Sequence, residues 1–348
     1  MANTIRIGII GTGGIATAAH IPGYRALEDV EIAALCDVVP GRAAQVATDI
    51  PGARAYVDYR EMLAKEELDA VSVTTPNSAH REATVAAFEA GLHVLCEKPI
   101  AMSLAEGQEM AEAARKAGKL LQIGVHMRFE AEAMALRRIV EAGDMGRIYH
   151  GEATYMRRRG IPTWGVFTQS KFQGGGALID IGVHALDRAL WLMGNPKPVA
   201  VMGMTYANFG KRRDLATPRG LWDVDKFDVD DMGVALIRFE DGASLILRAC
   251  WAAHIEGNII GTRILGTEGG AHMSPLCIYR DMHGSMVDVS PTGLVPVDGH
   301  TAEIAHFVQC IRGKAECMVP VEQVLDVQAI LDAIYLSSST GREVRLDA

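Results

Sequence analysis

The sequence IRIGIIGTGGIATAA, residues 5–19, decides how the first part of this chain folds. Ile5, Ile7, Ile9 and Ile10 form a short β-branched run interrupted and ended by glycine, a pattern typical of a strand buried on both faces. Residues 11–16 then fit the pattern G-x-G-x-x-G/A, and an alanine-rich segment of high helix propensity follows. Strand, glycine turn and helix therefore stand in the order that a dinucleotide-binding site requires.

The small residues of this motif each have a physical role. Gly11 permits a tight turn, Gly13 lets the backbone approach a pyrophosphate, and Ala16 allows the helix to pack closely on the sheet. The phosphates would lie at the positive end of the helix. Since glycine-rich turns are common, the motif needs support from the rest of the chain. The contacts predicted here are Gly11, Gly13, Gly14 and Ile15.

An acidic residue follows at the expected distance. Asp37 ends the apolar segment EIAALC, where its carboxylate would accept hydrogen bonds from the adenosine ribose. The same charge would repel a ribose 2′-phosphate, so the sequence favours NAD over NADP. Alternatively, Asp37 only caps a helix that begins near Gly41, and Arg42 leaves room for use of both cofactors.

Composition limits the class of protein. With 348 residues, two domains are expected, and a net charge of −9 argues against nucleic acid or an anionic membrane as partner. No apolar run reaches the ~18 residues that span a bilayer. The first strand begins too early for a signal peptide, and six scattered cysteines lack the spacing of a metal or redox site. The sequence therefore predicts a cytoplasmic protein with reduced cysteines and no metal.

The rest of the chain shows two different patterns of predicted strands and helices. Apolar strands alternate with helices up to residue 124, which predicts a Rossmann domain with a doubly wound parallel sheet over residues 1–124. Beyond it, neighbouring strands with short turns predict an α+β domain over residues 125–348, with a large, open, mostly antiparallel sheet. This second domain is expected to bind substrate.

Three polar segments follow strands of the parallel sheet, at the edge where such sheets bind ligands. They are Thr75-Pro76-Asn77, Glu97-Lys98-Pro99 and His126-Met127-Arg128. Lys98 is the residue that would hydrogen-bond a substrate hydroxyl and stabilise alkoxide character. The alternative is a solvated lysine in a surface turn.

A second polar group lies in residues 174–187, GGGALIDIGVHALD. Asp180 and His184 are four residues apart, hence on one face of a largely apolar helix. His184 would accept the proton of a substrate hydroxyl, and Asp180 would orient it or bind a neighbouring hydroxyl. An Asp–His pair satisfied inside the core is the alternative interpretation, and a metal pair lacks a third ligand at characteristic spacing.

Four segments together resemble the glucose–fructose oxidoreductase, inositol dehydrogenase and rhizopine catabolism (Gfo/Idh/MocA) family. They are the glycine motif, TPNSAH at residues 75–80, EKP at residues 97–99 and the segment at residues 174–187. The resemblance implies NAD(P)-dependent redox chemistry on sugars, cyclitols and their derivatives, and a homodimer or homotetramer formed through the C-terminal sheet. It assigns Lys98, Asp180 and His184 to catalysis, and Asn77 and His80 to the cofactor side, where Thr75, Pro76 and Glu97 are also expected from their positions at the strand ends.

Residues 157–167, RRRGIPTWGVF, also resemble members of this family that oxidise the C3 hydroxyl of glycosides. Trp164 would stack on a pyranose face, and Arg157 and Arg128 would reach the substrate. Alternatively, the arginines form a solvated strand edge.

The sequence thus predicts an NAD(H)-dependent oxidoreductase that interconverts a ring secondary alcohol and a ketone of a sugar, glycoside or cyclitol. Two alternatives remain: an NAD-retaining glycosidase that uses transient oxidation and elimination, and a non-catalytic member that senses ligands. The presence of Lys98, Asp180 and His184 argues against a pure sensor.

Overall fold

A computed structural model describes residues 4–218 and 220–346, which form two compact units. The first unit runs through Phe129 and also contains Val297–Leu325; the second contains Glu130–Pro296 and the chain from Asp326 onward. This corrects the expectation of a single boundary between residues 124 and 125. The chain returns to the first unit because Ile304 and Phe307 are buried in the same core as Ile7 and Ile9.

The helices of the described chain are mostly short, and two of them are preceded by a π-helical turn, at Ala16–His20 and at Leu178–Gly182. The α-helices are α1 (Ile21–Arg25), α2 (Arg42–Ala47), α3 (Tyr59–Lys65), α4 (His80–Glu89), α5 (Leu104–Ala117), α6 (Ala131–Glu141), α7 (Ser170–Gln173), α8 (Val183–Leu192), α9 (Gly299–Ile311) and α10 (Val321–Thr340). Within residues 4–218 and 220–346, no helix is both long and apolar enough to cross a membrane.

The sheet of the first unit is parallel, in the order β3-β2-β1-β4-β5-β6. Its strands are β1 (Ile5–Ile10), β2 (Val30–Cys36), β3 (Arg54–Tyr56), β4 (Ala70–Val73), β5 (His93–Glu97) and β6 (Leu121–Gly124). Along each central strand, successive side chains enter two different apolar cores, one on each face. The predicted doubly wound sheet with buried strands is confirmed.

The sheet of the second unit has the order β14-β13-β12-β11-β7-β10-β9-β8-β15. Its strands are β7 (Ile148–Met156), β8 (Pro198–Tyr206), β9 (Met232–Phe239), β10 (Ser244–Cys250), β11 (Ile259–Gly266), β12 (Gly270–His272), β13 (Cys277–Met282), β14 (Ser285–Val289) and β15 (Val344–Arg345). Neighbouring strands are antiparallel except β7 and β10, which run parallel. The predicted large, mostly antiparallel sheet is confirmed.

The two faces of this second sheet differ. Along β8, β9 and β10 buried residues alternate with exposed ones, as expected when one face is covered. The buried face packs against helices; Gly203 on β8, for example, lies so close to Ile334 of α10 that a Cβ would approach it to 2.8 Å. On the other face, the cross-strand neighbours Met202, Leu236 and Ile246 remain about two-fifths exposed.

Candidate active site

The glycine turn after β1 has the shape that a dinucleotide requires. Gly11 has a φ of +94°, and a Cβ there would lie 2.7 Å from the Thr74 carbonyl oxygen, so only glycine fits. At Gly13 and Gly14, by contrast, a Cβ would meet no heavy atom within 4 Å. The turn is therefore packed tightly against β4 on one side and open on the other, where phosphates can approach the start of the helix at Ile15.

Asp37 is held beside this turn. One carboxylate oxygen accepts hydrogen bonds from the backbone and hydroxyl of Thr12, at 2.9 and 3.0 Å, and the other accepts one from the Val39 amide at 2.9 Å. Burial alone would raise the pKa of Asp37, but these hydrogen bonds and the Arg42 cation lower it, so the group is ionised. The N-cap of α2 is Gly41, and the Asp37 carboxylate accepts its hydrogen bonds from Thr12 and Val39 instead, which argues against the capping interpretation.

The segment after β4 provides a second polar surface. The Thr75 hydroxyl oxygen is buried and has no hydrogen-bond partner within the residues described. A buried hydroxyl without a hydrogen-bond partner costs free energy, so the Thr75 hydroxyl is suited to a hydrogen bond with a bound ligand. Pro76 precedes a short 3₁₀ turn in which Asn77 is buried. Together with the open glycine turn, these residues fit a nicotinamide dinucleotide.

The ring of His80 is buried between two carbonyl oxygens of the first unit. Its ring is fully buried at the start of α4, with Nδ1 2.8 Å from the Pro99 carbonyl oxygen and Nε2 3.1 Å from that of Thr75. Burial lowers the pKa of His80, although both carbonyls oppose this shift. The side chain therefore links the segments that follow β4 and β5, and we exclude it as a direct cofactor contact.

Lys98 follows directly after β5 and is half buried. The carboxylate of its neighbour Glu97 is buried, accepts a hydrogen bond from the Lys98 backbone at 3.2 Å, and lies 3.0 Å from Nε2 of His20. Burial would raise the pKa of Glu97, but the hydrogen bond from His20, together with Lys98 and His126, lowers it to about 2. The strand end thus places a fixed anion beside the lysine.

Two histidines near this anion come from distant parts of the sequence. The rings of His126 and His300 are stacked, with centroids 3.7 Å apart and an interplanar angle of 17°. Burial and the neighbouring His300 lower the pKa of His126 to about 3, so its ring is neutral. The sequence interpretation missed His300, because nothing local indicates that α9, which contains this residue, belongs to the first unit.

Arg128 is not placed to bind substrate. Its side chain is only 1% exposed, and its guanidinium donates hydrogen bonds to the Met318 carbonyl and to the Gln323 side chain, at 3.0 and 2.6 Å. A buried guanidinium needs such acceptors to offset its lost hydration. Arg128 therefore ties the end of β6 to the chain around residue 320, and the prediction of a substrate contact is wrong.

In the second unit, a buried aspartate shapes the segment that carries Asp180. The Asp230 carboxylate accepts hydrogen bonds from the amides of Gly176 and Leu178, at 2.7 and 2.9 Å, and from the Tyr335 hydroxyl at 2.6 Å. A Cβ on Gly176 would lie 1.8 Å from the Asp230 carbonyl oxygen. Asp230 thus satisfies amide groups at the start of the helical segment, and only glycine fits beneath it.

The helix predicted from residue 174 onward begins as a π-helical turn, Leu178–Gly182, which contains Asp180. Such turns are rare and frequently lie at functional sites. The carboxylate of Asp180 accepts a hydrogen bond of 2.9 Å from the indole of Trp251, a fully buried residue just beyond β10. His184 follows on α8 with 7% of its surface exposed. Trp251 and Asp230 lack a recognisable local motif, which explains why the sequence interpretation missed them.

In the segment of residues 157–167, the side chains of Arg157 and Trp164 have different environments. The guanidinium of Arg157 is 5.1 Å from the centroid of the Tyr155 ring and donates a hydrogen bond of 3.2 Å to its hydroxyl. Trp164 is 54% exposed and packs edge-on against Phe167. Trp164 has the open ring face that sugar stacking needs, whereas the Arg157 guanidinium already donates to the Tyr155 hydroxyl and the Gly160 carbonyl.

Fold and motifs together define an oxidoreductase. Residues 5–125 match the model of the Gfo/Idh/MocA oxidoreductase family with an NAD-binding Rossmann fold, and residues 133–272 match the model of the Gfo/Idh/MocA C-terminal domain. The chain belongs to this family, and its first unit contains the NAD-binding Rossmann domain.

The similarity extends over the entire length of characterised members. The chain is 35% identical to D-glucoside 3-dehydrogenase of Escherichia coli, over 99% of this chain and 98% of that one. It is 26% identical to scyllo-inositol 2-dehydrogenase (NAD⁺) of Bacillus subtilis, over 100% and 98%. A levoglucosan dehydrogenase solved with NADH and levoglucosan aligns with a TM-score of 0.84 at 25% identity, over 99% of this chain and 100% of that structure.

Proposed function

We propose that this protein is an NAD(H)-dependent dehydrogenase that interconverts a ring hydroxyl and a ketone, with a glucoside oxidised at C3 as the substrate class. The observation that carries this proposal is that two candidate catalytic groups are held in place: Lys98 lies beside an ionised, buried carboxylate, and the Asp180 carboxylate is fixed by the Trp251 indole. The 35% identity to D-glucoside 3-dehydrogenase over the entire chain supports the choice of glucosides.

The roles follow from the chemistry of each side chain. His184 accepts the proton of the reacting hydroxyl, as a neutral imidazole does most readily near neutral pH. Lys98 donates a hydrogen bond to the same oxygen and stabilises its developing negative charge. Asp180, already held by Trp251, orients His184 or a neighbouring hydroxyl. Bound NAD⁺ supplies the two-electron oxidant, and Gly13, Gly14, Ile15, Asp37, Thr75 and Asn77 would hold it. Trp164 would stack on the sugar ring.

The proposal is tested by following the absorbance of reduced nicotinamide when the purified protein meets NAD⁺ or NADP⁺ and a panel of alcohols. The panel contains methyl glucosides, their 3-deoxy analogues, free sugars and inositols. We expect reduction of NAD⁺ by methyl glucosides and none by the 3-deoxy analogues. Reduction by the 3-deoxy analogues contradicts oxidation at C3. Release of the aglycone without net reduction identifies the glycosidase alternative, and silence with every alcohol favours a ligand sensor.

The protein is also proposed to form a homo-oligomer through the exposed face of its second sheet. Met202, Leu236 and Ile246 form a continuous apolar row across β8, β9 and β10, flanked by Met204 and Tyr206. Contiguous exposed apolar area of this kind marks an interaction surface, and a second copy of the same sheet offers a matching one. We expect Ile246→Lys to lower the mass measured by light scattering. An unchanged mass would contradict this interface.

The cytoplasmic location predicted from the sequence stays a proposal. Its support is that all six cysteines are free thiols, with Cys36, Cys96 and Cys250 buried. Fractionation of expressing cells tests it.

A further inference from the structure

A chain of four buried side chains ends at the carboxylate beside Lys98. The Tyr24 hydroxyl lies 2.8 Å from the Ser72 hydroxyl, which lies 3.1 Å from Nδ1 of His20. Nε2 of His20 in turn lies 3.0 Å from Oε1 of Glu97. Tyr24 and Ser72 have no exposed surface, and His20 is 1% exposed. The four residues come from α1, β4, the π-helical turn before α1 and β5, so the connection depends on the folded first unit.

The hydroxyl and ring protons of these four residues have one arrangement in which every donor has an acceptor. Burial raises the pKa of Tyr24 above its ordinary value, so the phenol keeps its proton and donates it to Ser72. The Ser72 hydroxyl then donates to Nδ1 of His20, and the Nε2–H group donates to Glu97. If His20 carried a second proton, either Ser72 or Tyr24 would lose its acceptor. The chain thus presents one N–H group to Glu97.

Glu97 transmits this contact to the candidate site. Its second oxygen accepts the hydrogen bond from the Lys98 backbone, and a Cβ at Gly124 would lie only 3.1 Å from its first oxygen. The ionisable groups that act on Glu97 are His20, Lys98 and His126, with His300 stacked on His126; Glu303 acts on the far end, at Tyr24. The carboxylate therefore has little freedom to find another position or another donor.

We propose that His20 is a positioning residue, which holds the Glu97 carboxylate ionised and oriented and thereby fixes Lys98 where it meets the substrate oxygen. This inference rests on the proposed function, in which Lys98 polarises that oxygen. Tyr24 and Ser72 fix the ring of His20, and none of these three side chains needs to touch cofactor or substrate.

Two substitutions at His20 separate the hydrogen bond to Glu97 from simple packing of the side chain. In His20→Gln, the amide nitrogen reaches the place of Nε2 and still donates to Glu97, whereas in His20→Asn the amide ends near Nδ1 and leaves Glu97 without this donor. The matched control is His93→Gln. His93 lies on β5, is half buried and contacts the Leu120 amide rather than Glu97.

We expect His20→Asn to lower kcat about 30-fold with KM within about threefold, and His20→Gln and His93→Gln to stay within about fivefold of the wild type. An acid limb should appear in the kcat profile of His20→Asn alone. Without the donor, burial dominates and the pKa of Glu97 rises, so activity is lost as the pH falls through that value. Equal kcat and parallel pH profiles for the Gln and Asn variants would overturn the proposal.

A second readout needs no turnover, and so separates this inference from the proposed function. Both His20 variants lack the imidazole, so a comparison of their melting temperatures isolates the amide donor to Glu97. At about pH 8, His20→Gln should melt about 3 °C above His20→Asn, because only the Gln variant donates a hydrogen bond to the ionised Glu97 carboxylate. By about pH 5 the difference should halve, since Glu97 of the Asn variant then binds a proton. A difference that does not change with pH would refute the role of His20, whether or not the wild type oxidises a sugar.

Discussion

The two units hold their candidate catalytic groups in different ways. In the first unit, Lys98 follows a strand whose ladder already fixes the backbone, and the supporting contact is the hydrogen bond from His20 to the Glu97 carboxylate. In the second unit, Asp180 lies in a π-helical turn, and the supporting contacts come from Asp230, which binds backbone amides, and from Trp251. The buried carboxylate at the end of the strand needs hydrogen-bond donors, whereas the start of a helix needs its unpaired amides satisfied. Substitutions should therefore change charge behaviour in one unit and folding in the other.

The largest expected effect tests whether both units are needed for chemistry. Lys98→Ala and His184→Ala should each lower kcat on the true substrate about 10³-fold, since each removes a group that acts on the reacting oxygen. Melting temperatures and NADH affinity should stay near those of the wild type. If either variant retains wild-type turnover, the corresponding unit contributes no catalytic group and the comparison fails.

The next effect concerns folding of the second unit. Asp230→Ala leaves the Gly176 and Leu178 amides and the Tyr335 hydroxyl without their acceptor, which should lower the free energy of unfolding by about 3 kcal/mol. Tyr335→Phe removes only one of these hydrogen bonds and should cost about 1 kcal/mol. Denaturant unfolding at neutral pH measures both. Equal losses in the two variants would show that the helix start does not depend on Asp230.

The third effect concerns charge in the first unit. The folded pKa of Glu97 is about 2 against 4.5 for an ordinary glutamate, so its stabilising contribution is fully present above about pH 4.5 and is lost as the pH falls towards 2. Glu97→Gln carries no such charge. The stability difference between wild type and variant should be constant from about pH 6 to 8 and shrink by about 2 kcal/mol below pH 4.5. A stability difference between wild type and variant that stays constant down to pH 3 would contradict this.

The smallest effect sharpens the comparison within the second unit. Trp251→Phe keeps most of the buried ring but removes the N–H group that binds Asp180, so kcat should fall about tenfold with little change in KM. Trp222→Phe is a suitable control, because that indole donates to the Gly210 carbonyl instead. Equal effects of the two substitutions on kcat would argue that Trp251 serves packing alone.

Local pattern was enough to predict most of the fold. The glycine turn, the strand periodicities and the hairpin around residue 241 each depend on neighbours in sequence, and the structure confirms both sheets. The same holds for Asp37, which lies beside the glycine turn as the spacing indicated. The domain boundary was less predictable, because α9 carries no local sign that its apolar face belongs to the first core.

The side-chain partners of the site could not be predicted in this way. His20 and Glu97 are 77 residues apart, and Asp180 and Trp251 are 71 apart, so only the folded chain brings each pair together. The same folding buries Arg128 and His80, which in sequence are as polar and as well placed as Lys98.

The sequence by itself therefore determined the class of protein, the cofactor and the residues capable of chemistry, because these depend on residue type and short spacing. The tertiary structure decided which polar groups face a ligand and which serve as internal supports. The physical reason is that burial and hydrogen-bond partners, which set the charge and orientation of a side chain, come from elements distant in sequence.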